Sequence, residues 1–323
     1  MGKLKIEDSA RVIGKNRLGN EVYISQGTTL RSKNDSIKIH NTSWVLENSV
    51  VIGTDKHPVN IGSKTVFGHK CIINGAEVGN LCEVGNGVIM LPGSKVGNMC
   101  IFGEGTIISE NEVIPDESVV VGRPARIIRK LNEEDKKMIK RMRGNDISLS
   151  EYVENIIDID IKEGDKMGKL YEHNNKYPRV EESAYLFDTA EVTGDVIIGE
   201  NTTIGSGVKI IGNTHGPVKI GNNVQILENT VLHLLPDNEL IINDNVTIGP
   251  ACIIHGTEIG ENSVIESGAI VCDYSRLGKN TTVKSGSLVK QRSVINDNEI
   301  VEGYPAKVIG NNDKTQERPD WAI

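Results

Sequence analysis

Basic charge is scarce relative to acid in this 323-residue chain: 36 Lys and Arg stand against 44 Asp and Glu, a formal net charge of −8. A nucleic-acid-binding surface needs a basic stripe to displace counterions, so no such partner is expected. Aromatic residues make up only 4% of the chain, which also removes a platform for base stacking. No run of 18 apolar residues is present, so no helix is expected to span a membrane and none is expected to bind one. The opening residues Met1 to Ile6 lack the apolar stretch of a secretory signal. The five cysteines, Cys71, Cys82, Cys100, Cys252 and Cys272, are odd in number and scattered, with no CxxC pair. They read as reduced, buried thiols, and the expected location is cytoplasmic.

Glycine, by contrast, is abundant at 34 residues, more than a helical protein tolerates, because each interior helix glycine costs about 1 kcal/mol against alanine. The glycines accompany a repeat. Apolar residues recur at Phe67, Ile73, Val78, Val84, Met90, Val96, Phe102 and Ile108, in steps of six with a single step of five. They recur again at Ile248, Ile254, Ile259, Ile265, Val271, Leu277, Val283 and Val289, with the same steps in the same order at a constant offset of 181. A six-residue period fits neither a helix nor simple strand alternation. It fits a parallel β-helix of hexapeptide repeats, in which each hexad supplies one short strand and one turn and three hexads close a triangular coil.

The two halves align without a gap from about Ile37/Val218 to Arg126/Lys307, and Phe67–Leu91 shares nine identities in twenty-five positions with Ile248–Cys272. Gly122-Arg123-Pro124-Ala125-Arg126 matches Gly303-Tyr304-Pro305-Ala306-Lys307. The reading is a tandem duplication, all-β in class: two β-helices at about 1–130 and 178–310 with α-helices between them. Residues 1–165 form the first domain with its terminal helices and 166–323 the second. Asn132 followed by Glu133, Glu134 and Asp135 predicts a capped helix start, with Met138, Ile139 and Met142 on one face and Gly144 as the stop. Ser150 to Ile161 reads as a second short helix. The second half has no equivalent, and its tail, Asn311–Ile323, is polar.

Both halves resemble the γ-class carbonic anhydrases, a left-handed β-helix family that assembles as trimers. The resemblance rests on the hexads, on the matched segments Val66–Gly75 and Thr247–Gly256, and on the Gly-x-Pro-Ala-Lys/Arg motif. It implies a metal held by three histidines, two from one β-helix and one from its neighbour. The first ligand position is His233 in Val231-Leu232-His233, and the first half has Ile52 there. The second is His69 in Gly68-His69, where the second half has Pro250. The third is His255 in His255-Gly256, where the first half has Asn74. Each half lacks a full set, and together they hold one of each. Three protein ligands leave a fourth position on zinc for water, whose pKa the metal lowers to about 7. Zinc is the expected metal, with iron or cobalt as alternatives, and CO2 and bicarbonate are the implied substrates of a homotrimer.

The resemblance also implies accessory residues. Glu47 and Glu228 hold an acidic position that precedes the first ligand, and the glutamine expected just before it is Leu46 or Leu227. The family's interface arginine matches Arg31; its counterpart is Gly212, and the partner aspartate position holds Lys33 or Thr214. His57, in the polar loop Thr54–Pro58, stands near the place of a proton shuttle, with plain surface loop as the other reading. Tyr152 matches a tyrosine of the family's terminal helix, with packing as the other reading. His40, His173 and His215 read as structural or solvent-facing. Catalysis would then involve Glu228, Tyr152 and His57 beside the ligands His69, His233 and His255. Two other functions fit the same pattern. One is an inactive scaffold or assembly subunit, which the broken ligand sets and the two leucines favour. The other is a hexapeptide-repeat acyltransferase with CoA, in which His69 or His255 is a general base.

Overall fold

The structure is a computed structural model that describes residues 3–159, 168–213 and 216–323. The chain forms two compact units, Met1–Ile161 and Lys162–Ile323. The boundary expected between 165 and 166 lies outside the described residues.

Each unit is a β-solenoid of mostly very short strands whose partners lie one coil away in sequence. Glu83 and Val84 pair in parallel with Ile101 and Phe102, and Lys95 and Val96 with Val113 and Ile114. Among the described residues of the second unit, three sheets of seven, seven and eight strands form three faces. In the first, two faces are one continuous sheet, because the long strand Arg11–Leu18 pairs with Thr29–Ser32 and then with Ile37–Ile39.

The apolar repeat is the core. All eight first-half positions from Phe67 to Ile108 are buried, and so are all eight from Ile248 to Val289. Stacked side chains such as Phe67, Val84 and Phe102 leave water together, and each burial contributes roughly 1.5–3 kcal/mol before ordering costs. The single step of five falls where Gly75 takes a left-handed φ of 58°. A Cβ there would stand 2.4 Å from the Cβ of His57, so the tight corner and the loop above it both require glycine.

The last coil of each unit ends in an antiparallel hairpin. Ser118–Val121 pairs with Arg126–Lys130, and Glu299–Gly303 with Ala306–Asn311. The irregularities, at Val119/Val120 and Ile300/Val301, sit at the same offset of 181.

The helix Glu133–Met142 forms as its sequence predicts. Asn132 accepts from the Asp135 backbone N–H, and Asp135 accepts from that of Asn132, a capping box that satisfies two end groups. Ile139 is fully buried beside Leu81, Val119 and Leu131. The second helix expected from Ser150 to Ile161 is not formed. The described part of that segment holds the strand Asn155–Ile159, antiparallel to Arg11–Leu18, with Gly14 opposite Ile159 and Leu18 opposite Asn155. Ile156, Ile157 and Ile159 are β-branched, and the long strand Arg11–Leu18 offers them an edge, so pairing prevails over helix. Residues 160 and 161 lie outside the described residues.

The helix has no counterpart in the second unit among the described residues. The polar tail instead runs back along the solenoid. The Arg318 guanidinium donates to the carbonyl of Asn223, the Gln225 side chain exchanges two hydrogen bonds with Ile323, and Trp321 and Ala322 are buried.

Candidate functional site

Two of the three expected ligands come together within the second unit. Val231 and Leu232 pair with Ile253 and Ile254. Leu232 and Ile254 point into the core, so alternation turns the next residues, His233 and His255, outward one coil apart. Their rings lie perpendicular with centroids 6.0 Å apart. Two imidazoles bound tetrahedrally to one zinc through bonds of about 2.0–2.1 Å would have centroids about 5 Å apart. The pair stands about 1 Å wider than that, and it lacks a third ligand.

Asp273 completes the surroundings of His255. Its Oδ2 lies 3.1 Å from His255 Nδ1. Its Oδ1 accepts from the backbone N–H groups of Gly256 at 3.1 Å and Leu235 at 3.3 Å, and from the Asn238 side chain at 3.3 Å. Asn238 also donates to the Gly256 carbonyl, and a Cβ on Gly256 would stand 2.2 Å from its Nδ2. The backbone of Leu235 and the side chain of Asn238 thus tie their loop to the histidine column. Neither Asp273 nor Asn238 was singled out from the sequence. The available signal was position: Asp273 follows His255 by the length of one coil.

The first unit presents the complement. Ile52 and Asn74 occupy paired positions in neighbouring coils, Asn74 Oδ1 is buried with no hydrogen-bond partner, and Pro92 stands at the position of Asp273. His69 lies at the corner after Val66–Phe67 and is half-exposed, its Nδ1 2.6 Å from Glu47 Oε2. The backbone N–H of Glu47, the Ser25 hydroxyl and His69 hold that carboxyl below its ordinary pKa. Among the described residues, no group of three or more His, Cys, Asp and Glu is arranged to hold a metal.

The remaining expected residues fall as follows. Glu228 is almost fully buried, and Leu227, where a glutamine was expected, is wholly buried. Arg31 is buried and pairs in register with Ile52. His57 is held by its loop, its carbonyl accepting from the Thr54 N–H and its own N–H donating to the Thr54 hydroxyl. Tyr152 stacks on His40 at 4.5 Å, beneath Lys38, and burial pushes its phenol up to about 12. Burial also lowers the His40 pKa. His173 contacts Asn174, while Thr214 and His215 lie outside the described residues. No helix among the described residues is long and apolar enough to cross a membrane.

Comparison with known proteins agrees with this architecture. Residues 58–91, 195–232 and 239–272 match the family described as hexapeptide repeat of succinyl-transferase. The first and third stretches begin and end at the same offset that relates the two halves. A carbonic anhydrase of Geobacillus kaustophilus is 41% identical over 140 residues, 43% of this chain and 76% of that protein. An uncharacterized transferase of Bacillus subtilis, YtoA, is 37% identical over 93 residues, 29% of this chain and 54% of the relative. The mitochondrial gamma carbonic anhydrase 2 of Arabidopsis thaliana is 32% identical over 141 residues, 42% of this chain and 50% of the relative. The chain spans about half the length of the last two. With a carbonic anhydrase matched at this identity over three quarters of its length, the chain belongs to the γ-carbonic-anhydrase-like family of hexapeptide-repeat proteins.

Proposed function

We propose that this chain is a γ-carbonic-anhydrase-like metalloprotein whose metal site is shared between neighbouring chains. His233 and His255 of one chain's second unit and His69 of another chain's first unit would be the ligands, and CO2 the substrate. The observation that supports this most is the convergence of His233 and His255, from neighbouring coils, at 6.0 Å. Pro250 leaves that pair one ligand short, and the first unit keeps only the histidine that the pair lacks.

When bound, zinc in such a site would lower the pKa of a water to about 7 and so supply hydroxide near neutral pH. The chain's own residues do the rest. His233 and His255 each follow a pair of residues that joins adjacent coils in register. Asp273 and Glu47 each place a carboxylate beside the Nδ1 of a ligand, an arrangement that orients imidazoles and raises their basicity. The wholly buried Leu227 withdraws the hydrogen-bonding side chain that would orient the nucleophile, so CO2 hydration is expected to be slow. A transferase reading draws support from the names of the matched family and the Bacillus subtilis relative, and would use His255, backed by Asp273, as general base.

Metal stoichiometry tests the proposal. Protein purified without a polyhistidine tag is expected to hold one metal per chain, and His69→Ala and His255→Ala are each expected to lose most of it. Full retention of metal in His69→Ala ends the shared-site reading.

A further inference from the structure

The Asp273 carboxylate is divided between two tasks. Oδ1 faces three donors, the N–H groups of Gly256 and Leu235 and the Asn238 amide. All three need an acceptor, so the orientation of the carboxylate is fixed. Oδ2 is thereby presented to His255 Nδ1 at 3.1 Å. Asp273 is 7% exposed, and His255 Nδ1 is buried with no aligned hydrogen-bond partner. A buried imidazole nitrogen left without a partner is costly, and the carboxylate oxygen stands at hydrogen-bond distance from it. Such contacts are commonly loose before a site is loaded. The first unit provides an internal contrast: with Asn74 in place of the histidine, Pro92 replaces the aspartate and His57 replaces Asn238.

From this geometry we propose that Asp273 is a positioning residue that fixes His255 as the Nδ1–H tautomer, leaving the Nε2 lone pair free. The role of Nε2 as a metal ligand rests on the metal-site reading above; the tautomer does not. An imidazole in water favours the opposite tautomer, so its reversal here is an effect of the protein and can be measured in metal-free protein.

Asp273→Asn is the informative variant because it keeps the shape and reverses one polarity. The three donors hold the amide oxygen at the Oδ1 position, which turns the NH2 group toward His255 Nδ1. That nitrogen must then accept, and the proton moves to Nε2. A comparable aspartate-to-asparagine change in the serine proteases acts through the wrong histidine tautomer.

The experiment is a long-range 1H–15N correlation spectrum of metal-free, 15N-labelled protein at a pH where the imidazole is neutral, with His255 assigned by its absence from His255→Ala. The expected result is Nδ1–H as the major form in the wild type and Nε2–H in Asp273→Asn. A wild-type His255 that is mainly Nε2–H overturns the proposal, even where the variant does not fold. An unchanged tautomer in Asp273→Asn overturns it equally. Zinc affinity, measured by competition with a chelator, then reads the metal site separately. With the tautomer effect present, Asp273→Asn is expected to weaken zinc about 10- to 100-fold. A wild type that shows the Nδ1–H tautomer but takes no zinc sinks the metal-site reading and leaves the positioning role standing.

Discussion

Cys71 and Cys252 occupy equivalent places in the two halves and are both fully buried. Burial pushes each thiol up to about 12, so almost no thiolate exists at neutral pH and neither is a nucleophile there. Cys82 is likewise raised by burial, and it stacks one coil from the buried Cys100, whose backbone N–H approaches its sulfur at 3.5 Å. Burial raises the Cys272 thiol too, but Cys272 alone is only partly buried and open to a reagent. A thiol reagent applied to native protein at pH 8 is therefore expected to label about one cysteine per chain, identified by mass spectrometry as Cys272. Fast labelling of Cys71 or Cys252 would contradict the tightly closed coils.

The same scale shows what a sequence can disclose. His233 and His255 could be brought together from their separation in sequence, the length of a coil and a loop that takes up the difference. Asp273 could not be found by motif, because its role depends on which way two backbone N–H groups and an amide side chain face. Its distance of one coil from His255 was the only trace, and every outward column of the solenoid shares that spacing.

Among the elements, the helix Glu133–Met142 was legible because its information is local: an Asn cap, an acidic first turn and a stopping glycine. The strand Asn155–Ile159 was not, because its partner Arg11–Leu18 lies at the opposite end of the first unit's sequence, and only the fold brings an unpaired edge to it. The helix end also carries a buried ion pair. Arg143 Nη2 lies 2.6 Å from Glu83 Oε1, and Nε donates to the Lys64 carbonyl. Burial raises the Glu83 pKa despite the opposing pull of Arg143, so the fold favours the neutral carboxyl more than water does. Glu83→Gln strands the buried guanidinium of Arg143 and should also destabilise, though less than loss of the arginine, because Nε keeps the Lys64 carbonyl. Arg143→Met leaves a buried carboxylate without its cation and should cost about 3 kcal/mol in urea unfolding at pH 7. The sign with pH follows. A raised folded pKa means that the native state binds the proton first, so stability rises as pH falls through the folded pKa toward the lower unfolded one. The deficit of Arg143→Met should shrink between pH 7 and pH 5, and an unchanged deficit would show that the lost hydrogen bond to Lys64, not charge, is responsible.

For the whole molecule, the equivalences at an offset of 181 reach from the core repeat through the five-residue step to the hairpin irregularities. We take them as the mark of a duplicated domain. This makes assembly decisive for the proposed site, because neither copy carries all three of the proposed ligands. Chains carrying His69→Ala still present His233 and His255, and chains carrying His255→Ala still present His69. Co-expressed with two different tags and purified through both, the two variants are expected to form mixed assemblies. A site shared between chains is intact when its first unit comes from the His255→Ala chain and its second from the His69→Ala chain. Purification through both tags removes the unmixed assemblies, and in every mixed trimer one of the three neighbour contacts is of this kind, so metal content should recover to about a third of the wild-type value. Each variant alone should remain near zero, as should the two mixed after separate purification if subunits do not exchange. Mixed assemblies with no recovered metal would place all three ligands within one chain or nowhere, and the single variants tell these apart. Wild-type protein that runs as a stable monomer in light scattering, yet binds one metal that His69→Ala abolishes, would establish the single-chain site and exclude the shared one.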